Sequence, residues 1–137
     1  MILDGTIRLE ARGDASPDTV WDRYAEPTRW PLWSPHIRRV EVDDTRERLL
    51  PGMTGRAWSY GPLPVSFTVT AVHQEAGTWS WAVNLGPLHM ELDHSVAAAD
   101  RADGRGSVAA LTLRGPWPVL VAYAPLAQLA LRRLVSP

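Results

Sequence analysis

Among the side chains able to do chemistry at neutral pH, His94 stands out because it interrupts an apolar row. Between Leu88 and Ala98, the residues Leu88, Met90, Leu92, His94 and Val96 alternate with His89, Glu91, Asp93 and Ser95. A strand here sets the His94 imidazole among apolar neighbours and His89 on the other face. A partly buried imidazole titrates near neutrality, so His94 would serve as a general base or as a hydrogen-bond anchor for a ligand carbonyl or hydroxyl. The plainer alternative is a core histidine satisfied by a backbone carbonyl or by a neighbouring Tyr or Thr. Arg56 shares a strand face with Trp58 and could clamp a ligand carboxylate or an enolate, although an arginine reaching solvent is the default. Tyr60 and Tyr123 are lesser candidates, and Tyr123, on the closing helix, would present its hydroxyl to an interior space. His89, Glu91 and Asp93 superficially offer three metal ligands. Side chains at i, i+2 and i+4 of a strand are spread at ~7 Å intervals, too far apart to converge on one ion, so a solvated polar face is expected there and no metal.

Seven tryptophans occur in 137 residues, several times ordinary usage. Indoles offer large rigid area and one donor each, which suits a stacking wall for a flat or polycyclic ligand; plain core packing is the commoner explanation for any single one, while at least one is expected to line a pocket. No serine elbow, phosphate loop, dinucleotide fingerprint or zinc motif is present. The chain has no cysteine, which excludes disulfides, thiolate metal sites and cysteine nucleophiles. All 14 cationic residues are arginine, which excludes Schiff-base chemistry on lysine and points to a GC-rich bacterial genome. With 45% apolar and 21% charged residues and a net charge of −1, there is no basic run to attract nucleic acid. The start of the sequence lacks a basic stretch followed by an apolar run, so a cytoplasmic location is expected. The uncharged stretch from Gly115 to Leu131 is short of the ~20 apolar residues of a bilayer span and is interrupted by Pro116, Pro118, Pro125 and Gln128, so a buried helix is expected and no membrane span.

These side chains must be positioned by one domain over residues 1–137, because no composition shift or repeat divides the chain. From Leu3 to Ala11, apolar and polar residues alternate strictly, the signature of a half-buried strand. Ser16-Pro17 then reads as a helix N-cap and first helical residue, with Val20, Trp21 and Tyr24 as the apolar stripe and an end near Glu26-Pro27. A second helical turn is expected from Thr28, containing Trp30 and Trp33 and stopped by Ser34-Pro35. Five strands follow, roughly Ile37 to Asp43, Met53 to Tyr60, Val65 to His73, Thr78 to Leu85 and Leu88 to Ala98, and a further one runs from about Ser107 to Arg114. Consecutive strands without helices between them form an antiparallel meander. Alternation points Val65, Phe67, Val69 and Ala71 inward, and likewise Trp79, Trp81 and Val83. The segment from Trp117 to Leu134 closes the chain as a helix. Arg38, Arg39, Arg46 and Arg48, interleaved with Glu41, Asp43, Asp44 and Glu47, read as a mixed-charge solvated edge.

In this order of elements, Ala15-Ser-Pro-Asp-Thr-Val-Trp-Asp, Trp30-Pro-Leu-Trp-Ser-Pro-His, Leu50-Pro-Gly-Met and Gly115-Pro-Trp resemble the SRPBCC superfamily, with its START-like or Bet v 1-like helix-grip fold, near bacterial polyketide cyclase/dehydrase-like members. The resemblance spans essentially the whole chain. It implies an α+β fold: a seven-stranded curved antiparallel sheet wrapped around a long C-terminal helix, with two short helices between strands 1 and 2 and a hydrophobic cavity inside. Trp30, Trp33, Trp58, Trp79 and Trp81 lie on elements the family places around its cavity. The ligand-binding set expected on this basis is Trp30, Trp33, Trp58, Phe67, Trp81, Met90, His94 and Tyr123, with Trp33 and Trp81 foremost. His94, Arg56 and Tyr123 form the catalytic set if there is a reaction. One departure is Pro125, inside what is usually an unbroken helix, where a proline costs ~3 kcal/mol if uncompensated and kinks or splits the helix.

The expected function is binding of a small hydrophobic ligand, lipid-, polyketide- or aromatic-like, without a cofactor. The alternative is a cofactor-independent cyclase, dehydratase or isomerase acting on a polyketide-like substrate through acid–base chemistry and enolate stabilisation. A third class is a protein-interaction module. The fold alone does not choose among these. A monomer or a homodimer is compatible with everything above.

Overall fold

The computed structural model describes residues 3–59 and 61–137; Tyr60, one of the lesser candidates, lies outside the described residues. The alternating segments form seven strands: β1 (Asp4–Gly13), β2 (Arg39–Val42), β3 (Thr54–Trp58), β4 (Pro64–His73), β5 (Thr78–Leu85), β6 (Leu88–Ala98) and β7 (Ser107–Pro116). They make one antiparallel sheet in the order β1-β7-β6-β5-β4-β3-β2. Strands β2 to β7 thus form an unbroken meander, and the first strand pairs with the last. Between β1 and β2 lie α1 (Pro17–Ala25) and a 3-10 helix (Pro27–Leu32), and the chain ends in α2 (Trp117–Leu134). This is the helix-grip architecture that the resemblance implied.

Local chemistry accounts for the boundaries. Helix α1 begins at Ser16, whose hydroxyl accepts from the Thr19 N–H at 3.1 Å, with Pro17 in the first turn where its missing N–H costs nothing. Between β5 and β6 the loop is just Gly86-Pro87, since Leu85 pairs with Leu88, and Gly86 adopts the left-handed φ of 57° that so tight a hairpin needs. The expected second strand is shorter than its alternating pattern, because Ile37 N–H turns back to the Ser34 carbonyl at 3.1 Å instead of joining the sheet.

One inward assignment is corrected. The β4–β5 register shifts between Val69 and Ala71, leaving Thr70 as an extra residue, so beyond it Ala71 opposes Ser80 and Val72 opposes Trp79. Val72, not Ala71, therefore joins the core face.

Pro125 neither splits nor ends α2, which is helical from Trp117 through Leu134. The carbonyl deprived of its partner belongs to Val121, which is 62% exposed, so water can serve it. The helix buries Leu120, Ala127, Leu131 and Leu134; Leu120 and Leu134 are fully enclosed, each contributing roughly 2 kcal/mol by burial. It packs chiefly on β1 and β7. Its start is set by Gly5, where any β-carbon would overlap the Trp117 indole lying on the strand. Its end is tied to α1 by Arg23, which donates to the carbonyls of Leu134 and Ser136 at 2.6 Å each. Because α2 leans on β1 and β7, a space remains between it and the inner face of strands β3 to β6.

Candidate functional site

That space is an apolar cavity of about 480 Å³. The sheet contributes Val65, Trp81, Val83, Met90 and Leu92, and α2 contributes Val119, Tyr123 and Leu126. These residues face inward because strand alternation and the helical repeat put them there. The polar side-chain atoms of this wall belong to His36, Ser59, Tyr123 and the indoles of Trp58 and Trp81, and no Asp, Glu or Arg lines it among the described residues. Its volume falls within the usual range of small-molecule sites.

Deeper in, a chamber of about 40 Å³ adjoins it, sharing His36, Ile37, Trp81 and Tyr123 with the outer cavity and adding Tyr24, Trp30, Trp33, Trp79 and His94. The aromatic rings here form one packed assembly. Trp79 and His94 are cross-strand partners on β5 and β6, and their rings stack at 3.8 Å and 4°. Tyr24 meets the edges of His94 and Trp79 at 5.4 and 5.5 Å, and Trp30 stacks on Trp79 at 5.5 Å. The 3-10 helix holds Trp30 in place through its indole N–H, which donates to the Tyr24 carbonyl at 2.9 Å.

The polar groups fall into two classes. Some are paired: His94 Nδ1 lies 3.2 Å from the Trp79 carbonyl, and His36 lies between the Ser34 hydroxyl (3.3 Å to Nδ1) and the Tyr123 hydroxyl (3.1 Å to Nε2). Because a carbonyl only accepts, His94 carries its proton on Nδ1. Others are buried with no partner among the described residues: the Tyr24 hydroxyl and the indole N–H groups of Trp79 and Trp81.

Burial sets the charge states. It lowers the pKa of His94 to about 3, against the opposing pull of the Trp79 carbonyl and of Asp93, and lowers that of His36 to about 4. Burial raises Tyr123 to about 12 and pushes Tyr24 higher still, with Tyr123 adding to the effect on Tyr24. At neutral pH the whole site is therefore uncharged. Such imidazoles are weak bases, well below the pKa near 7 that suits general-base catalysis.

Of the residues expected from sequence, Trp30, Trp33, Trp81, His94 and Tyr123 come together around the inner chamber, and Met90 joins Trp81 and Tyr123 in the outer one. Phe67 packs behind this wall, 5.1 Å from Trp81 and 6.0 Å from Trp30 by ring centroids. Trp58 borders the outer cavity, but the guanidinium of its cross-strand partner Arg39 lies 4.1 Å over its ring. Arg56 is not brought to the site: it points away from the core side, paired with Asp43 at 3.4 Å and Glu41 at 3.8 Å. His89, Glu91 and Asp93 lie on the outer face, where Arg114 binds Asp93 at 2.7 Å and Glu91 at 3.6 Å. Sequence reasoning gave no role to His36 or Tyr24. The Trp30–His36 segment contained the first but lacks any periodicity that would reveal burial, and the second read only as part of an apolar stripe.

A larger depression of about 570 Å³ lies between α1 and the chain end, but it is a charged surface groove whose Arg23 and Arg29 are already engaged, the latter with Glu26 at 3.2 Å. Among the described residues no helix is long and apolar enough to cross a membrane.

A family model described as "Polyketide cyclase / dehydrase and lipid transport" matches residues 5–135. Among solved structures, the crystal structure of Ara h 8.0201, a Bet v 1-like allergen, superposes with a TM-score of 0.74 at 16% identity, over 96% of this chain and 95% of that one, a likeness of fold. No curated protein matches the sequence.

Proposed function

Since the chain belongs to the polyketide cyclase/dehydrase and lipid transport family of the SRPBCC superfamily, we propose that it binds one small hydrophobic molecule between its sheet and α2. The observation that carries this reading is the 480 Å³ apolar cavity, whose wall is aliphatic and aromatic with few polar groups. Burying apolar ligand surface there is worth roughly 25 cal/mol per Å², so about 300 Å² of hydrocarbon supplies about 7.5 kcal/mol before the cost of immobilisation. Trp81, Met90 and Tyr123 would touch the body of the ligand, and Trp30, Trp33 and His94 its inner end.

A second reading, cyclisation or dehydration of a polyketide-like substrate, draws support from the His36–Tyr123 hydrogen bond at the cavity wall, which could hold a substrate carbonyl. Against it stand the weak basicity of both buried imidazoles and the position of Arg56 on the outer face, which leaves no cation for an enolate among the described lining residues. Binding is therefore the preferred function.

Native mass spectrometry of protein purified from its own host tests this. Binding predicts a single added mass, retained under gentle desolvation and released on collision. Bare polypeptide alone, from host cells and after incubation with extracted host lipids, would count against the reading.

A further inference from the structure

The two compartments differ in chemistry: the outer one is hydrocarbon, while the inner one concentrates polar atoms that have no protein partner. We propose that the inner chamber is the recognition end of the site, selecting hydrophobic ligands that terminate in an uncharged carbonyl or hydroxyl oxygen and rejecting carboxylates. This rests on the binding function proposed above and names its ligand class.

Two observations carry it. First, three residues that line the chamber, Tyr24, Trp79 and Trp81, each hold a buried polar atom without a partner. Indole N–H groups only donate, and the tyrosine hydroxyl can do so, so the unmet demand is for an acceptor oxygen. Buried donors are rarely left orphaned, because each forfeits its hydrogen bonds with water on folding. Second, the tautomer of His94 supplies the complement: with the proton on Nδ1 and given to the Trp79 carbonyl, Nε2 keeps its lone pair and can accept from a ligand hydroxyl.

Charge excludes anions. Among the described residues no Arg lines either compartment, and the lowered pKa of both histidines keeps them neutral. An entering carboxylate would lose its hydration without gaining a counter-ion.

Isothermal titration calorimetry at pH 7 with three probes of similar shape tests this: 2-acetylnaphthalene, 2-isopropylnaphthalene and 2-naphthoate. The expected result is that the ketone binds at least ~10-fold tighter than the carboxylate. Tyr24→Phe, which removes only a hydroxyl, should weaken the ketone about 3- to 10-fold, the value of one hydrogen bond, and leave the isopropyl compound unchanged. Equal affinity for ketone and carboxylate overturns the proposal. So does a Tyr24→Phe effect that is absent, or that is the same for ketone and hydrocarbon. If the hydrocarbon binds in those cases, the cavity stands as a binding site and only its polar end has been misread. Failure of all three probes to bind overturns both the recognition end and the binding function beneath it.

Discussion

Acid should unfold this protein earlier than its carboxylates require, through the two histidines built into the site. In the folded chain burial holds His36 at about 4 and His94 at about 3, whereas an imidazole in an unfolded chain protonates near 6.5. Well above pH 6.5 both are neutral in both states, and pH has no hold on stability through them. As pH falls below that point, the unfolded chain takes up two protons that the folded chain refuses, so stability declines by ~1.4 kcal/mol per pH unit for each histidine. The loss continues until the folded imidazoles themselves titrate, His36 near 4 and His94 near 3. Between pH 6.5 and 4.5 it amounts to roughly 5 kcal/mol, comparable to the entire stability of many small domains. Urea unfolding at half-unit pH steps, followed by far-UV circular dichroism, measures this directly. His73 and His89 are exposed and are not part of the argument. His94→Asn, which keeps a donor for the Trp79 carbonyl, should halve the slope, and adding His36→Asn should remove most of the rest. A flat stability profile over this window, or a slope indifferent to both substitutions, would refute the claim that these imidazoles are buried neutral.

Two further outcomes follow from the fold. Pro125→Ala restores an N–H to the Val121 carbonyl without altering the buried face of α2, and should raise stability by about 1–3 kcal/mol, read as a higher melting temperature; no gain would mean that the helix is adapted to the proline. Gly5→Val drives a side chain into the Trp117 indole, so loss of ~2 kcal/mol or more is expected in the same measurement, and a neutral result would mean that Trp117 does not rest on β1.

Much of the fold was legible because its strands are half-buried. Along β5 and β6, strict alternation fixed the bounds of both strands and placed Trp79, Trp81 and His94 on the covered face, where they are found. Alternation failed at Thr70, because a bulge changes which residues face inward without changing residue types. It was silent for His36, which lies in irregular chain after Pro35 and is buried by contact with Tyr123, 87 positions away. Arg56 was assigned correctly to the face of Trp58, but sequence could not say which face met the cavity; Gly55 and Ala57 take the buried side, and the acids Glu41 and Asp43 draw Arg56 outward. The His36–Tyr123 pair and the unpartnered donors of the inner chamber depend on tertiary juxtaposition, which no single-chain pattern encodes.

The claim that the cavity is a ligand site is tested most directly by filling it. Val119 lines the outer compartment from α2, and Val119→Trp would occupy much of that space. Fluorescence titration with Prodan, a neutral naphthyl ketone whose emission shifts to the blue in apolar surroundings, should give a saturable 1:1 blue shift with the wild-type protein. The Val119→Trp variant, folded by circular dichroism, should lose affinity at least ~10-fold. Absence of a saturable shift in the wild type, or an undiminished one in the folded variant, would contradict the account.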